Sequence, residues 1–190
     1  MLDESRIIRR CQHGQVREMD LLIDRYQVPL YSLCRKLTRN VGDADDLFQD
    51  TWAAALRGIR SFACERPFRP WLFAICINRY RDAYRRSRRR NRWLRLFRSS
   101  REESEAAAHV RGPEPGPEQE RHQEDRLRAL HEAIASLDDG HRLPVLLHYD
   151  RGLGLSEVAE ILDVPEGTIK SRLSAARERI RLRMEARDHG

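Results

Sequence analysis

Residues 155–180 read LSEVAEILDVPEGTIKSRLSAARERI. Leu155, Val158, Ala159 and Leu162 fall at i, i+3, i+4 and i+7, one apolar face of a helix. Asp163, Val164 and Pro165 break that period, because proline lacks a backbone donor and pushes the preceding residue out of helical geometry. A second helix follows, with Ile169, Leu173, Ala176 and Ile180 on its inner face. Lys170, Ser171, Ser174, Arg177 and Arg181 lie outside. Two short helices joined by a tight turn, the second polar and basic on its outer side, match a helix-turn-helix whose second helix enters a DNA major groove. A solvated amphipathic hairpin in a helical bundle has the same pattern. The rest of the chain has to choose between them.

The chain has 190 residues, 40% hydrophobic and 35% charged, which is polar for one globule but ordinary for small helical domains joined by a linker. A net charge of +6 is compatible with a polyanionic partner without demanding one. Lys36 and Lys170 are the only lysines, and arginine supplies the remaining basic charge. Arginine favours bidentate contacts to phosphate. Cys11, Cys34, Cys64 and Cys76 show no C-x-x-C spacing, so reduced cysteines are expected rather than a zinc site or disulfide framework. The segment MLDESRIIRRCQHG is too charged for a signal peptide, and no run approaches the roughly 20 apolar residues of a membrane span. These features predict a soluble, cytoplasmic protein without membrane insertion.

Residues 4–12 carry a short helical pattern stopped by Gly14. A longer one runs from Val16 to about Arg39 on Met19, Leu22, Ile23, Tyr26, Leu30, Leu33 and Leu37. Pro29 is expected to kink it, and Asn40 and Gly42 to stop it. A third helix is predicted from about Asp43 to Gly58, its acidic first turn suiting the positive end of the helix dipole. Leu47, Thr51, Ala54 and Ala55 would face inward, and Asp46, Gln49, Asp50 and Ala53 outward. The loop SFACERPFRP, residues 61–70, leads to a long helix from Trp71 to about Arg90.

On that helix Trp71, Ile75, Asn78 and Asp82 share one face; Phe73, Ile77, Tyr80 and Tyr84 share another. Arg79, Arg81, Arg85, Arg86, Arg88, Arg89, Arg90, Arg92 and Arg95 then crowd in. Aromatics interleaved with arginines suit a surface that tracks phosphates and stacks on unpaired bases. For Trp71, core packing is the stronger expectation. A dense single-sign arginine block repels itself unless a polyanion neutralises it.

Beyond Ser99, REESEAAAHVRGPEPGPEQE has almost no bulky apolar residues and reads as a disordered acidic linker. Helical patterning resumes near Arg121 with Leu127, Leu130, Ile134 and Leu137. Asp138 to Gly140 read as a turn, and Leu143, Val145, Leu146, Leu147 and Tyr149 as a short helix ending at Gly152. With no strand pattern, the expected fold class is all-α. It comprises two small helical domains at 1–95 and 121–190, joined by a flexible acidic linker at 96–120.

Both halves resemble the compact extracytoplasmic-function group of the sigma-70 family. DADDLFQDTW, Arg66-Pro67-Phe68, Trp71-Leu72, Ile75, Asn78, Asp82 and the trailing arginines follow the order and spacing of sigma region 2. VPEGTIKSRL is close to the V-P-x-G-T-V-K-S-R-L of region 4. The resemblance covers about residues 16–90 and 121–183. It implies an RNA polymerase sigma factor, not an enzyme, that directs transcription initiation at specific promoters. The implied partners are core RNA polymerase, promoter DNA and a sequestering, membrane-anchored anti-sigma factor, with no cofactor, metal or small-molecule substrate.

The resemblance also implies residue roles. Asp43, Asp46, Gln49, Asp50 and Trp52 would dock on the polymerase core. Arg66, Phe68, Trp71, Asn78, Tyr80, Asp82, Arg85 and Arg86 would serve the −10 element, Phe68 and its loop neighbours receiving an extruded base. Thr168, Lys170, Ser171, Arg172, Ser174 and Arg177 would read the −35 element. Three positions depart from the family pattern. Ala175 stands where arginine is usual, Asp163 replaces the turn glycine, and Gly154 replaces a Ser or Thr cap, with Ser156 as a substitute.

About 26 linker residues stretch to roughly 85–95 Å but average only ~28 Å as a flexible chain. Promoter elements about 17 base pairs apart are separated by roughly 58 Å. The linker can therefore reach both elements without holding the domains at that spacing, so polymerase must set it and the free protein should bind promoters weakly. A stand-alone dimeric regulator explains the helix-turn-helix but not DADDLFQDTW or the aromatic-arginine helix. A metal-dependent nuclease using Asp43, Asp45, Asp46 and Asp50 is the other alternative. It has no second carboxylate cluster, and helix capping already explains an acidic first turn.

Overall fold

The computed structural model describes residues 4–97 and 118–188, with side chains described except at 16, 87–97, 118–123 and 188. The chain divides into two compact units, Met1–Ala108 and His109–Gly190. All regular elements among the described residues are helical. The linker expected at 96–120 lies largely outside the described residues.

The first unit contains α1 (Glu4–Gln12), α2 (Met19–Leu37), α3 (Val41–Gly58) and α4 (Phe68–Phe97), with 3-10 turns at Val16–Glu18 and Ile59–Ser61. Gly14 leaves α1 at φ +90°, a left-handed conformation that glycine adopts without steric cost. The core is built from Ile7 and Ile8 of α1, Leu22, Leu30 and Leu33 of α2, Ala44, Leu47 and Ala55 of α3, and Phe68, Leu72, Phe73 and Ile77 of α4. Thr51 is fully buried yet satisfied, its hydroxyl donating to the Leu47 carbonyl at 2.7 Å. Cys34 and Cys76 meet in this core with sulfurs 3.8 Å apart. Burial and the neighbouring thiol raise the pKa of Cys34, the thiol contact being the larger cause. All four cysteines are free, as the scattered spacing predicts.

α2 runs through Pro29 as one helix, held by the buried face of Leu22, Leu30, Leu33 and Leu37 although proline removes a hydrogen bond. Two local expectations need correction. Asn40 and Gly42 do not stop α2. It ends at Thr38, in extended geometry, and the Asn40 side chain instead caps α3 by accepting from the Asp43 N–H at 2.8 Å. α4 begins at Phe68 rather than Trp71, which places Pro70 in the first turn, where helical N–H groups lack intrahelical partners anyway.

The second unit contains α5 (Glu118–Ala135), α6 (Asp139–Val145), a π-helical turn (Leu146–Asp150), α7 (Leu155–Leu162) and α8 (Glu166–Asp188). α8 is its spine: α5, α6 and α7 all pack against it. The core combines Leu143, Leu146 and Leu147 with Val158, Ile161 and Leu162 of α7 and Ile169, Leu173 and Ala176 of α8. The α5 face is rotated from expectation. Ala129 and Ala133 are buried, whereas Leu130 and Ile134 are half-buried and Leu127 is 50% exposed; Leu137, just beyond the helix, is buried as expected. Asp138 is not part of a plain turn but the N-cap residue of α6, in extended geometry. The short helix expected before Gly152 carries Pro144 inside α6 and passes from α-helical to π-helical geometry at Leu146.

Phe68→Ala should destabilise the first unit by about 3–5 kcal/mol, the range for deleting a buried aromatic ring. Val28→Ala, at a side chain 74% exposed, should stay within about 0.5 kcal/mol. Urea denaturation followed by fluorescence reads this unit, because all three tryptophans, Trp52, Trp71 and Trp93, belong to it.

Candidate polymerase and nucleic-acid interfaces

α3 presents Asp46, Gln49 and Asp50 to solvent while Leu47, Thr51 and Ala55 face the core. Asp43 is exposed but committed to the helix start, its carboxylate accepting from the Asn40 amide at 3.0 Å. Trp52 needs correction as an interface residue. It is 9% exposed and packs edge-on to Phe48 at 6.4 Å, so it belongs to the core side of α3. Its indole N–H has no hydrogen-bond partner among the described residues. Beside the acidic face lies a groove of about 500 Å³ lined by Gln27, Val28, Tyr31, Asp45, Phe48 and Gln49 among others. Tyr31 donates to Asp45 at 2.7 Å across it, and that bond raises the tyrosine pKa.

The segment joining α3 to α4 is anchored at both ends by aromatic rings. Phe68 is 0% exposed, with ring centroids of Tyr26, Phe62 and Trp71 at 5.5, 5.8 and 5.3 Å. This corrects its expected role: a ring fully enclosed by three others cannot receive a base. Trp71 is half-buried over Phe62 at 4.6 Å, in keeping with the packing expected of it. Only a glycine fits comfortably at position 58, since a Cβ there would lie 3.1 Å from the Trp71 ring. The loop's outward side is formed by Ala63, Glu65, Arg66 and Pro67, all exposed.

Farther along α4, Asn78, Asp82, Arg85 and Arg86 are exposed. Half-buried Tyr80 stacks on Tyr84 with centroids 6.3 Å apart and planes at 26°. Side chains from 87 onward in α4, including the expected arginines 88 to 95, lie outside the described residues.

No sequence motif marks what holds the loop from behind. Three polar residues of α1 do so. The Gln12 amide donates to the carbonyls of Ile59 and Phe62 at 3.0 and 2.7 Å, and its oxygen accepts from the Cys64 thiol at 3.1 Å. The Ser5 hydroxyl donates to the Cys64 carbonyl at 3.3 Å. Glu4 accepts from the Phe68 N–H at 3.4 Å and from the Tyr26 hydroxyl at 2.5 Å. Burial, and then the bond to Glu4, pushes the Tyr26 pKa up to about 12. Glu4, Ser5 and Gln12 share one helical face, but no motif distinguishes them from ordinary surface polar residues.

In the second unit the turn between α7 and α8 closes at Asp163, the sole non-glycine residue with positive φ among the described residues (φ 56°). Aspartate is one of the few side chains that tolerate this geometry. Gly154 starts α7 without a side-chain cap; the Glu157 carboxylate instead accepts from the Gly154 N–H at 2.7 Å. On α8, Lys170, Ser171, Ser174 and Arg177 are exposed together, with Thr168 and Arg172 half-buried at the margin. Ala175 is half-buried. Lys170 pairs with Glu166 at 2.8 Å, an exposed contact that DNA phosphate can replace at small cost. Arg181 is engaged by Glu178 and Glu185 at 2.7 and 2.6 Å, which holds its guanidinium along the helix.

Two family models match: sigma-70 region 2 over residues 22–91 and sigma-70 region 4 over 133–182. RNA polymerase sigma factor CnrH of Cupriavidus metallidurans is 31% identical over 97% of this chain and 96% of its own. The chain belongs to the ECF sigma factors of the sigma-70 family. The ECF sigma-E factor of Haemophilus influenzae is 30% identical over 94% of both chains. Among solved structures, CnrH in complex with the cytosolic domain of CnrY superposes with a TM-score of 0.68 at 25% identity, covering 96% of this chain and 97% of that one. RpoE of Bartonella quintana with the anti-sigma factor NepR gives 0.68 at 25%, covering 89% and 98%. Sigma region 2 thus spans α2, α3 and most of α4, and region 4 spans the helix-turn-helix. α1 lies before the matched segment.

Within region 4, the Asp138 carboxylate is held below the usual range by the His141 ring at 2.8 Å and then by Arg179 of α8 at 2.8 Å. A depressed carboxylate pKa stabilises the fold above the unfolded value, near pH about 4, and loses that stabilisation as pH falls through the folded value. Acid titration followed by circular dichroism should therefore show Asp138→Asn losing less stability than the parent protein between pH about 5 and 2.

Proposed function

We propose that this sigma factor recruits core RNA polymerase through the outer face of α3, with Asp46, Gln49 and Asp50 as contacts and Asp43 shaping the helix start. The observation that carries this reading is the division of surfaces. Acidic groups are displayed on α3, a loop is displayed beside a tyrosine-arginine helix, and a basic polar strip is displayed on α8, each on a helix whose other face is core. In this reading the exposed side of residues 63–67 captures a −10 base. Asn78, Tyr80, Asp82, Arg85 and Arg86 continue that surface, and buried Phe68 and half-buried Trp71 support it. Unstacking a base costs a few kcal/mol, which the opened complex recovers through stacking and pocket contacts. Lys170, Ser171, Ser174 and Arg177 read the −35 major groove, with Thr168 and Arg172 beside them.

An anti-sigma factor is the proposed regulator. Two structural relatives were solved as complexes, CnrH with the cytosolic domain of CnrY and RpoE with the anti-sigma factor NepR. A cytosolic domain suits a membrane-anchored anti-sigma factor and a cytoplasmic sigma factor. No helix among the described residues is long and apolar enough to cross a membrane.

Asp46→Lys together with Asp50→Lys should weaken binding to core polymerase at least about tenfold, since like-charge juxtaposition at an interface costs several kcal/mol. Equilibrium titration of labelled protein with core enzyme measures it, and unchanged affinity would remove α3 as the docking face. In holoenzyme, Lys170→Ala and Arg177→Ala should each reduce the salt slope of promoter binding by about 1 if the side chain neutralises one phosphate. Filter binding across a salt series checks this.

A further inference from the structure

We infer that α1 is the template that sets the −10 reading loop, with Gln12 as its positioning residue. This rests on the reading of residues 61–70 as that loop. Contacts from α1 fall at Ile59, Phe62, Cys64 and Phe68, the entrance, middle and exit of the segment. The loop's own backbone bonds from Phe62 N–H to the Ile59 carbonyl and from Arg66 N–H to the Ala63 carbonyl are short-range. Such local bonds shape turns but do not tie a loop to its domain. Gln12 supplies three of the ties to α1, beside single bonds from Ser5 and Glu4.

The chemistry of Gln12 is directional. Two backbone carbonyls can only accept, so both amide hydrogens must face Ile59 and Phe62, and the remaining oxygen faces the Cys64 thiol. Its three bonds hold the inner side of the loop. Ala63, Glu65, Arg66 and Pro67 are thereby displayed outward in one conformation before DNA arrives. Preordering matters because each loosened residue would cost about 1–2 kcal/mol of backbone entropy on binding. The hydrogen bonds of Gln12 go to Ile59, Phe62 and Cys64, none of them on the acidic face of α3. Gln12 therefore acts on −10 selectivity while leaving polymerase docking and −35 reading intact.

The test compares the parent holoenzyme with Gln12→Glu, which keeps the shape but sets a carboxylate against two carbonyls, and with Gln12→Met, which drops all three bonds without adding charge. Arg66→Ala, on the outward side, reports whether the loop reads DNA at all. Three quantities are measured: affinity for core polymerase, transcription from promoters mutated singly in the −10 element, and amide exchange of residues 59–67. Both Gln12 variants should bind core polymerase normally, exchange the loop amides faster, and lose about tenfold in −10 discrimination, the scale of two lost hydrogen bonds. Arg66→Ala should alter discrimination with loop exchange unchanged. If Arg66→Ala alters discrimination but both Gln12 variants match the parent, the inference about α1 is overturned. If all three variants discriminate as the parent does, the loop reading fails and the inference fails with it.

Discussion

The enclosure of Phe68 is the constraint on which the first unit depends. Its ring sits among Tyr26, Phe62 and Trp71, fully shielded from water, at the first residue of α4. That one placement ends the loop, starts the helix and fixes α2 against both. It also leaves the exposed residues before it nowhere to point but outward. Burying an aromatic ring of this kind stabilises by several kcal/mol. The exposed residues of the loop can therefore be chosen for recognition rather than for folding.

The same separation of labour holds in the second unit, with a different device. There α8 is the central packing helix and, in the proposed reading, the DNA-facing one, so Ile169, Leu173 and Ala176 fix the orientation of exposed Lys170, Ser174 and Arg177. The turn that sets its angle closes on a left-handed aspartate, Asp163. Arg179 ties α8 to the start of α6 through Asp138, an exposed link worth little energy but well placed to limit rotation. All four cysteines are free, and no group of three or more metal-ligating side chains occurs among the described residues.

Helix number, helix type and the apolar faces of α2, α3, α7 and α8 were legible because amphipathic periodicity is a local property of the chain. So was the helix-turn-helix, where Pro165 and the basic outer face both leave a mark. Boundaries were less legible. Asn40 looks like a stop and is a cap, since the residue serves either end of a helix and only the hydrogen bond to Asp43 decides. Phe68 and Trp52 looked like interface residues because an aromatic in a motif gives no hint of which way it points. The α1 clamp was invisible for a related reason. Gln12 meets residues 47 and 50 positions away, and sequence periodicity carries no information about such pairings.

These pieces make one claim: the chain reads promoters only as part of a holoenzyme, with two separately folded readers carried by polymerase. Run-off transcription with purified core polymerase across a randomised promoter library tests it most directly. The account predicts that adding the protein produces initiation only where two sequence elements occur at a fixed spacing. Folded protein that directs no initiation at any member of the library would contradict it.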